Sequence, residues 1–363
     1  MAWRGMSVAL RPGRRALKWC ACALAAVLLV PPAATLVVLR AYAAGSPGAG
    51  THTRGRDALW MGHAWVDGRR DEDDLARLAQ RVAGTGIRDL YVHAGPLEFD
   101  GTLRPARHRR ARWLLQGVER ELPGVRVQAW LGQLVSYGGA APGRLPLDDP
   151  RARSAVVDSS RRMLRVGFDG VHLNLEPLRS GSRSYLRLLE RLAPAVHRRG
   201  GVLSVATHQI DPVPGAHAAA GAVSADGRTK WWSHSYFAEV ATRVDQVAVM
   251  SYDTWTPWES LYRGYVAQQT ELALEHAPAT TDVLMGLPFY HTDTPGREPD
   301  AETVPAAVRG VRLGLDRQDA SRERFGVALY VDFAATPGDW RVYRSDWCTT
   351  RSARGIRRRP RTP

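Results

Sequence analysis

One segment of the sequence carries polar side chains where a buried strand is normally apolar. It runs from Gly167 to Pro177 and reads GFDGVHLNLEP. Successive side chains of a strand point to opposite faces, so His172, Asn174 and Glu176 share the face toward a barrel axis. Buried parallel strands are usually apolar on both faces. The pattern predicts a functional site at this strand's carboxyl end; an internal hydrogen-bond ladder is the structural alternative.

A carboxyl group at a strand end can donate a proton to a leaving group and then accept one from water. Most glycosidases add a second carboxylate, whereas substrate-assisted hydrolysis needs only one because the substrate's 2-acetamido oxygen attacks the anomeric carbon. The segment from Pro288 to His291, where a later strand ends, contains no carboxylate. Glu176 as a single acid/base therefore favours the substrate-assisted reaction.

Strand-like and helix-like segments alternate from about Asp57, which predicts a parallel sheet with crossover helices. The predicted strands are Leu59–Asp67, Asp89–His93, Val125–Leu131, Gly170–Glu176, Val202–His208, Gln246–Tyr252, Val283–Tyr290 and Gly326–Phe333. Amphipathic helices are predicted between them at Asp74–Val82, Arg110–Leu122, Arg151–Val166, Ser184–Arg198, Ser235–Val244, Leu261–His276 and Ala301–Leu315. Eight such units predict an α/β fold of the closed (β/α)8 TIM-barrel type, with its site at the carboxyl ends of the strands.

Three of the predicted strands resemble glycoside hydrolase family 18, the chitinase-like barrels. The fourth strand resembles that family's DGxDxDxE element, the segment Gln246 to Asp253 resembles its MxYD element, and Met285 to Tyr290 resembles its GLPxY element. The resemblance extends from about Leu59 to Trp347. It implies a carbohydrate-active barrel with Glu176, Tyr252 and Asp253 among the catalytic residues.

The sequence departs from this family at three positions. His172 and Asn174 stand where the family has aspartates, and Tyr330 stands where its eighth strand usually supplies a tryptophan. The Asn-x-Glu pattern is similar to the endo-β-N-acetylglucosaminidases of glycoside hydrolase family 85, in which asparagine orients the acetamide. We therefore expect Asn174 to hold the acetamide N–H, Tyr252 to donate to its carbonyl, and Asp253 to position neighbouring groups.

Aromatic side chains near the predicted strand ends suit the apolar faces of sugars. Substrate contact is predicted for His172, Trp65, Trp130, Trp255, Tyr290 and Tyr330, with Trp231, Trp232 and Trp258 as further aromatic candidates. Packing is the alternative for each tryptophan alone, and a satisfied structural role is the alternative for His172. The insertion Asp211–Lys230 after the fifth strand is either a mobile lid or an inert surface loop.

The net charge of +14 is confined to the ends of the chain. Residues 1–56 hold eight basic and no acidic residues and residues 348–363 hold six basic and no acidic residues, which leaves 36 of each in residues 57–347. A neutral folded part argues against nucleic acid as a partner. The isolated cysteines and the absence of a glycine-rich phosphate fingerprint give no sign of a metal or nucleotide cofactor.

Trp19 to Leu39 are free of charge and follow a basic amino terminus, which predicts a single membrane-spanning helix with the bulk of the chain outside. The expected organisation is a basic cytoplasmic segment 1–18, an anchor 19–39, a flexible linker 40–56, the catalytic domain 57–347 and a basic tail 348–363. A cleaved signal peptide with its core at Ala21–Val30 is the alternative, and it would make the protein secreted.

The function expected from these observations is hydrolysis of N-acetylhexosamine-containing glycans outside the cytoplasm, with a cell-wall polymer as one possible substrate. A non-catalytic carbohydrate-binding barrel would retain the cleft and its aromatic residues, because fold alone does not establish function. A metal-dependent amide hydrolase would instead use histidines at strand ends, namely His63, His93, His208 and His291.

Overall fold

The computed structural model describes Trp19 and residues 33–223, 230–292 and 296–348. Eight parallel strands form its central sheet. They are β1 (Asp57–Met61), β2 (Ile87–His93), β3 (Arg126–Ser136), β4 (Gly170–Glu176), β5 (Val202–Thr207), β6 (Gln246–Val249), β7 (Asp282–Pro288) and β8 (Phe325–Tyr330). Every predicted strand is thus confirmed; β4 has the predicted bounds, and the other seven differ at one or both ends.

The eight strands close on themselves. Each pairs in parallel with its neighbour along the chain, and β1 pairs with β8, so no edge remains open. A short segment, Leu145–Pro146, pairs with the end of β3. Because β3 and β4 are in register from Gln128↔Gly170 to Leu134↔Glu176, the end of β4 rises to the rim of the barrel.

Helices surround the barrel. They are α1 (residues 33–43), α2 (Ala64–Asp67), α3 (Glu72–Val82), α4 (Ala111–Glu121), α5 (Pro150–Val166), α6 (Arg183–His197), α7 (Ala216–Val223), α8 (His234–Ala241), α9 (Glu259–His276), α10 (Val304–Asp319) and α11 (Pro337–Val342), with a 3₁₀ turn at Pro105–His108 and a π-helical segment at Tyr343–Cys348. Asp71, Asp149, Ser182 and Ser233 cap helix amino termini with their side chains.

Alternate side chains of the strands point to opposite faces of the sheet, as the sequence predicts. Val171, Leu173 and Leu175 are buried in the large apolar layer between sheet and helices. The inward face of the barrel is narrower and mixes small alanines with Trp60 and Tyr91. His172 belongs to this inward face, where it stacks on Tyr91 with ring centroids 3.9 Å apart.

Strands β1 and β6 both end earlier than predicted. β1 stops at Met61, and residues predicted to continue it form α2, where Trp65 donates through Nε1 to Asp332 Oδ2 at 2.6 Å. β6 stops at Val249, and Asp253 and Trp255 in the turn beyond it adopt positive φ angles.

The segment 40–56, predicted to be a flexible linker, is packed along the barrel instead. Thr51 and His52 are buried, and Thr53 N–H donates to Trp347 O at 3.1 Å. Arg317 donates to the carbonyl oxygens of Tyr42 and Ala44 at 2.8 and 2.6 Å. The small residues of this segment let its backbone lie against the helices, and arginines bind its carbonyl groups.

The predicted anchor lies only partly within the described residues. Trp19 and residues 33–39 are described, whereas residues 20–32 are not, and neither are the basic segment 1–18 and the tail 349–363. Within the described part of the chain, no helix combines the length and apolarity required to cross a bilayer.

Candidate active site at the carboxyl ends of the strands

Glu176 is half-buried at the end of β4. Burial raises the pKa of its carboxyl group, and the nearby Asp253 carboxylate raises it further. A hydrogen bond from Asn174 and the charge of Lys230 act in the opposite direction. The balance is a carboxyl group that holds its proton to higher pH than an exposed glutamate, as a general acid requires.

Asn174 offers an acceptor that has no protein partner. Its side chain hydrogen-bonds to Glu176, and its Oδ1 atom is buried without a hydrogen-bond partner among the described residues. A buried carbonyl oxygen without a hydrogen bond destabilises the folded chain by about 1–3 kcal/mol. Such atoms are therefore rare unless a ligand supplies the missing hydrogen bond. Oδ1 is therefore placed to accept an N–H group from a bound molecule.

Three tyrosines enclose the space beside Glu176. Tyr252 and Tyr330 stack with ring centroids 5.3 Å apart, and Tyr290 meets both edge-on at 5.8 and 5.6 Å. Burial raises the pKa of all three hydroxyl groups, and the charge of Glu176 raises those of Tyr252 and Tyr330 further. All three therefore remain protonated hydrogen-bond donors near neutral pH.

The turn after β6 is held in a left-handed conformation. Asp253 has φ = 56° and Trp255 has φ = 59°, which non-glycine residues adopt at a cost of about 1–3 kcal/mol. Glu302 accepts from the backbone N–H groups of Asp253 and Thr254, both at 2.6 Å. Tyr290 donates through its hydroxyl to Asp253 Oδ1 at 2.5 Å. The clamp orients the Asp253 carboxylate into the tyrosine cluster.

Lys230, at the end of the insertion after β5, completes this clamp. Its Nζ donates to Asp253 O at 2.6 Å and lies 5.8 Å from the ring centroid of Trp255. Burial lowers the pKa of its ammonium group, while Asp253, Glu302 and Glu176 raise it. Its charge thus acts on the Glu176 carboxyl group, whose pKa it lowers.

The buried side chain of Arg297 binds two residues, Tyr290 and Glu302, that hold the turn after β6. Arg297 donates through Nη2 to Tyr290 O at 2.5 Å and to Glu302 O at 3.1 Å, and its guanidinium carbon lies 4.0 Å from the Tyr290 ring centroid.

The sequence did not predict the roles of Lys230, Arg297 and Glu302. They lie in loops with no periodicity, and the only available signal was the end of the insertion at Lys230.

The structure corrects the substrate contact predicted for His172. The ring is fully buried and both its nitrogens are bonded to protein groups: Trp60 Nε1 donates to Nε2 at 3.0 Å, and Nδ1 lies 2.8 Å from Ser204 Oγ. Burial lowers the pKa of His172 to about 3, so the ring is neutral and donates from Nδ1. Ser204 in turn donates to Gln128 at 2.7 Å. His172 supports the strand beneath the site.

A groove of about 510 Å³ opens at the ends of β1, β2 and β8. Trp65 and Trp130 line it, together with His93 and the exposed Phe333. Trp130 lies 6.4 Å from Tyr330, centroid to centroid, which joins the groove to the tyrosine cluster. The Trp130 Nε1 atom is buried and has no hydrogen-bond partner among the described residues.

The remaining aromatic candidates separate by burial. Trp255 and Trp258 are 63% and 57% exposed, whereas Trp232 is fully buried and donates to Leu178 O at 2.9 Å. Trp231 is half-buried and donates to Tyr265. Trp255 therefore remains available to a ligand, and Trp232 is a core residue.

Two of the four histidines considered as metal ligands, His208 and His291, are bonded to other protein groups. His208 accepts from Leu178 N–H at 3.1 Å, and His291 pairs with Asp339 at 2.8 Å. Across residues 33–223, 230–292 and 296–348, no three His, Cys, Asp or Glu side chains converge as a metal site. The arrangement predicted for a metal-dependent amide hydrolase is not present in this part of the chain.

The fold is shared with solved glycosidase structures. The spore cortex-lytic enzyme SleL of Bacillus megaterium matches with a TM-score of 0.54 at 14% identity, over 82% of this chain and 75% of its own. A class V chitinase of Pseudomonas fluorescens gives 0.54 at 13%, over 80% and 98%. A chitinase of Chromobacterium violaceum gives 0.54 at 14%, over 79% and 97%.

No protein-family model and no curated protein sequence matches the chain. The likeness therefore lies in the backbone: the chain has the chitinase-like barrel fold predicted from its three strand motifs. These structures do not test the resemblance of the Asn-x-Glu sequence at the end of β4 to glycoside hydrolase family 85.

Proposed function

We propose that this chain is a retaining glycoside hydrolase that cleaves N-acetylhexosamine-containing glycans with help from the substrate's own acetamide. The observation that carries the proposal is the pair at the end of β4. Glu176 has a raised pKa, and Asn174 Oδ1 beside it is a buried acceptor without a protein partner. An acetamide N–H would complete that acceptor and place the acetamide near the acid.

The reaction follows from this placement. Glu176 donates its proton to the glycosidic oxygen while the acetamide oxygen bonds to the anomeric carbon, and the glycosidic C–O bond breaks. The carboxylate of Glu176 then takes a proton from water. The hydroxide so formed adds to the anomeric carbon, the acetamide is released, and the configuration at that carbon is retained.

The tyrosine cluster supplies the remaining polar contacts. Tyr252 keeps its proton because burial raises its pKa, and we assign it a hydrogen bond to the acetamide carbonyl. Asp253 accepts from Tyr290 and so fixes the cluster around the reacting sugar. Trp65 and Trp130 provide apolar faces along the cleft on which further sugar rings can stack.

The substrate class we propose is a chitin-like or cell-wall glycan. The structurally similar proteins include chitinases and spore cortex-lytic enzymes, whose polymers carry acetamido sugars. The charge-free run from Trp19 to Leu39 after a basic amino terminus supports a membrane-anchored enzyme with an extracytoplasmic site; a secreted form is the alternative.

The decisive experiment compares Glu176→Gln with the wild type on N-acetylglucosamine oligosaccharides, chitin and peptidoglycan. We expect a loss of turnover of at least about 100-fold, because the amide cannot transfer the proton. Glu190→Gln is the matched control, since Glu190 is exposed and pairs with Arg243 on the outer surface. Turnover by Glu176→Gln equal to the wild type would refute the role. Binding by both proteins without turnover by either would indicate a carbohydrate-binding barrel.

A further inference from the structure

Exposed apolar side chains gather on one face of the molecule. Val38 of α1, Val213 of the insertion and Trp255 of the turn after β6 are between 44% and 63% exposed and line one groove. We call this set the apolar face. Contiguous exposed apolar surface marks an interaction site on a folded domain.

A groove of about 420 Å³ lies within the apolar face, between α1 and the turn after β6. Its lining includes Val38, Leu39, Val213, Trp255, Pro257 and Leu261, and no charged residue lines it in the described part of the chain. Thr254, which follows Asp253, lies at its edge. The groove therefore adjoins the catalytic cleft.

Helix α1 packs closely against α9 beside this cleft. A Cβ atom on Gly264 of α9 would lie 1.9 Å from Leu39 O, so only glycine allows the two backbones to approach so closely. Leu39 packs on Leu261 and Tyr265. Arg309 donates to Gly45 O at 2.9 Å, just after the helix. Helix α1 thus has a fixed position relative to the site.

The sequence leading into α1 identifies the occupant of the face. Trp19 to Leu39 contain no charged residue, and the described residues of α1 start at position 33 within that run. Residues 33–39 of this run pack on the barrel as part of α1, so the apolar stretch left to enter the bilayer is Trp19 to residue 32, and tryptophans concentrate at membrane–water interfaces. Trp255 lines the same groove as Val38 and Leu39 at the end of this run.

We propose that the apolar face rests on a lipid bilayer and holds the Asp253–Trp255 side of the cleft at the membrane surface. The docking itself is independent of catalysis. Its consequence for the substrate rests on the proposed function: the enzyme would act on glycan segments close to the membrane or attached to lipid.

The test uses the full chain added to vesicles of phosphatidylethanolamine and phosphatidylglycerol. A benzophenone amino acid replaces Val213 in one variant and Phe99 in a matched control; the two side chains are 61% and 59% exposed. Phe99 follows β2, four strands away from β6. After photolysis, lipid adducts are identified by mass. We expect adducts at position 213 and none at position 99.

Three results would overturn the proposal. The chain could remain in the aqueous fraction, which would remove the membrane altogether. It could enter vesicles without lipid adducts at position 213, which would mean a barrel held away from the surface. It could cross-link to a second copy at position 213, which would make the face a dimer interface. None of these readouts requires turnover, so failure of the proposed hydrolase leaves the test intact.

Discussion

The proposed contact with the substrate's acetamide N–H depends on the side chain of Asn174. Removing its side chain in Asn174→Ala deletes the acceptor, and a misplaced substrate nucleophile costs on the order of 100-fold in rate. Asn174→Asp keeps an acceptor at the same position, so we expect it to retain turnover. Initial rates on acetamido and matched non-acetamido oligosaccharides measure both effects. Equal rates for Asn174→Ala and the wild type would contradict the assignment.

Lys230 should set the alkaline limit of the reaction. Its ammonium lowers the pKa of Glu176, while burial and Asp253 raise that pKa. The general acid must be protonated, so activity is lost as the pH rises through this pKa. Lys230→Met removes the positive charge, and the alkaline limb of the pH profile of kcat/KM should move to higher pH.

Lys230→Arg preserves the charge and serves as the control. It should leave the alkaline limb near its wild-type position even if the reach of the longer side chain lowers kcat. The groups around Glu176 that remain in both variants are Asp253, Asn174, Tyr252 and Tyr330. An unchanged limb in Lys230→Met with measurable turnover would show that the lysine only holds the turn.

The strands and helices follow patterns that a sequence shows directly, whereas the connecting turns do not. β4 has the predicted bounds because its apolar and polar residues alternate. The Asp253–Trp255 turn depends on Glu302 and Lys230, which lie 49 and 23 residues from Asp253 along the chain. No local pattern encodes such a clamp, so these partners could not be predicted.

The element that departs most from expectation is the segment entering the barrel. Its alanine and glycine composition suits a flexible linker, yet the same small residues suit close packing of backbones. Composition cannot separate the two outcomes, because the partner is the distant Gly264. The contact becomes visible only when α9 and α1 are side by side.

Docking of α1 can be tested at Gly264. In Gly264→Ala the added carbon would lie 1.9 Å from Leu39 O, so α1 must move away from α9. We expect faster tryptic cleavage after Arg40, which is exposed on α1, followed by mass analysis of the fragments. Gly338→Ala is the control, because its nearest neighbour would be 3.4 Å away. Equal cleavage of both variants and the wild type would show that the contact does not hold α1.

At the scale of the whole molecule, closure of the barrel and the position of its site follow from the count of eight strands. The sequence does not show how its ends are secured. Asp57, the first residue of β1, accepts from Tyr343 and Trp347 at 2.8 and 2.9 Å. These partners lie almost 300 positions away, so the role of Asp57 in tying the two ends of the barrel together was not predictable.

The hydrogen-bonded interior below the cleft should make the stability of the barrel depend on pH. The pKa of His172 is about 3 in the folded chain and 6.5 when exposed, so the unfolded chain binds an extra proton as the pH falls. The contribution of neutral His172 to the free energy of unfolding is therefore complete above pH 6.5 and is lost progressively toward pH 3.

The substitution His172→Gln tests this pH dependence, because glutamine does not bind the extra proton in the unfolded chain. Denaturant unfolding at pH 7, 6, 5 and 4 should show the gap between wild type and variant shrinking below pH 6.5 by about 1.4 kcal/mol per pH unit. Comparing the two proteins cancels the other titrating groups, and a gap that stays constant would mean that His172 is charged in the folded barrel.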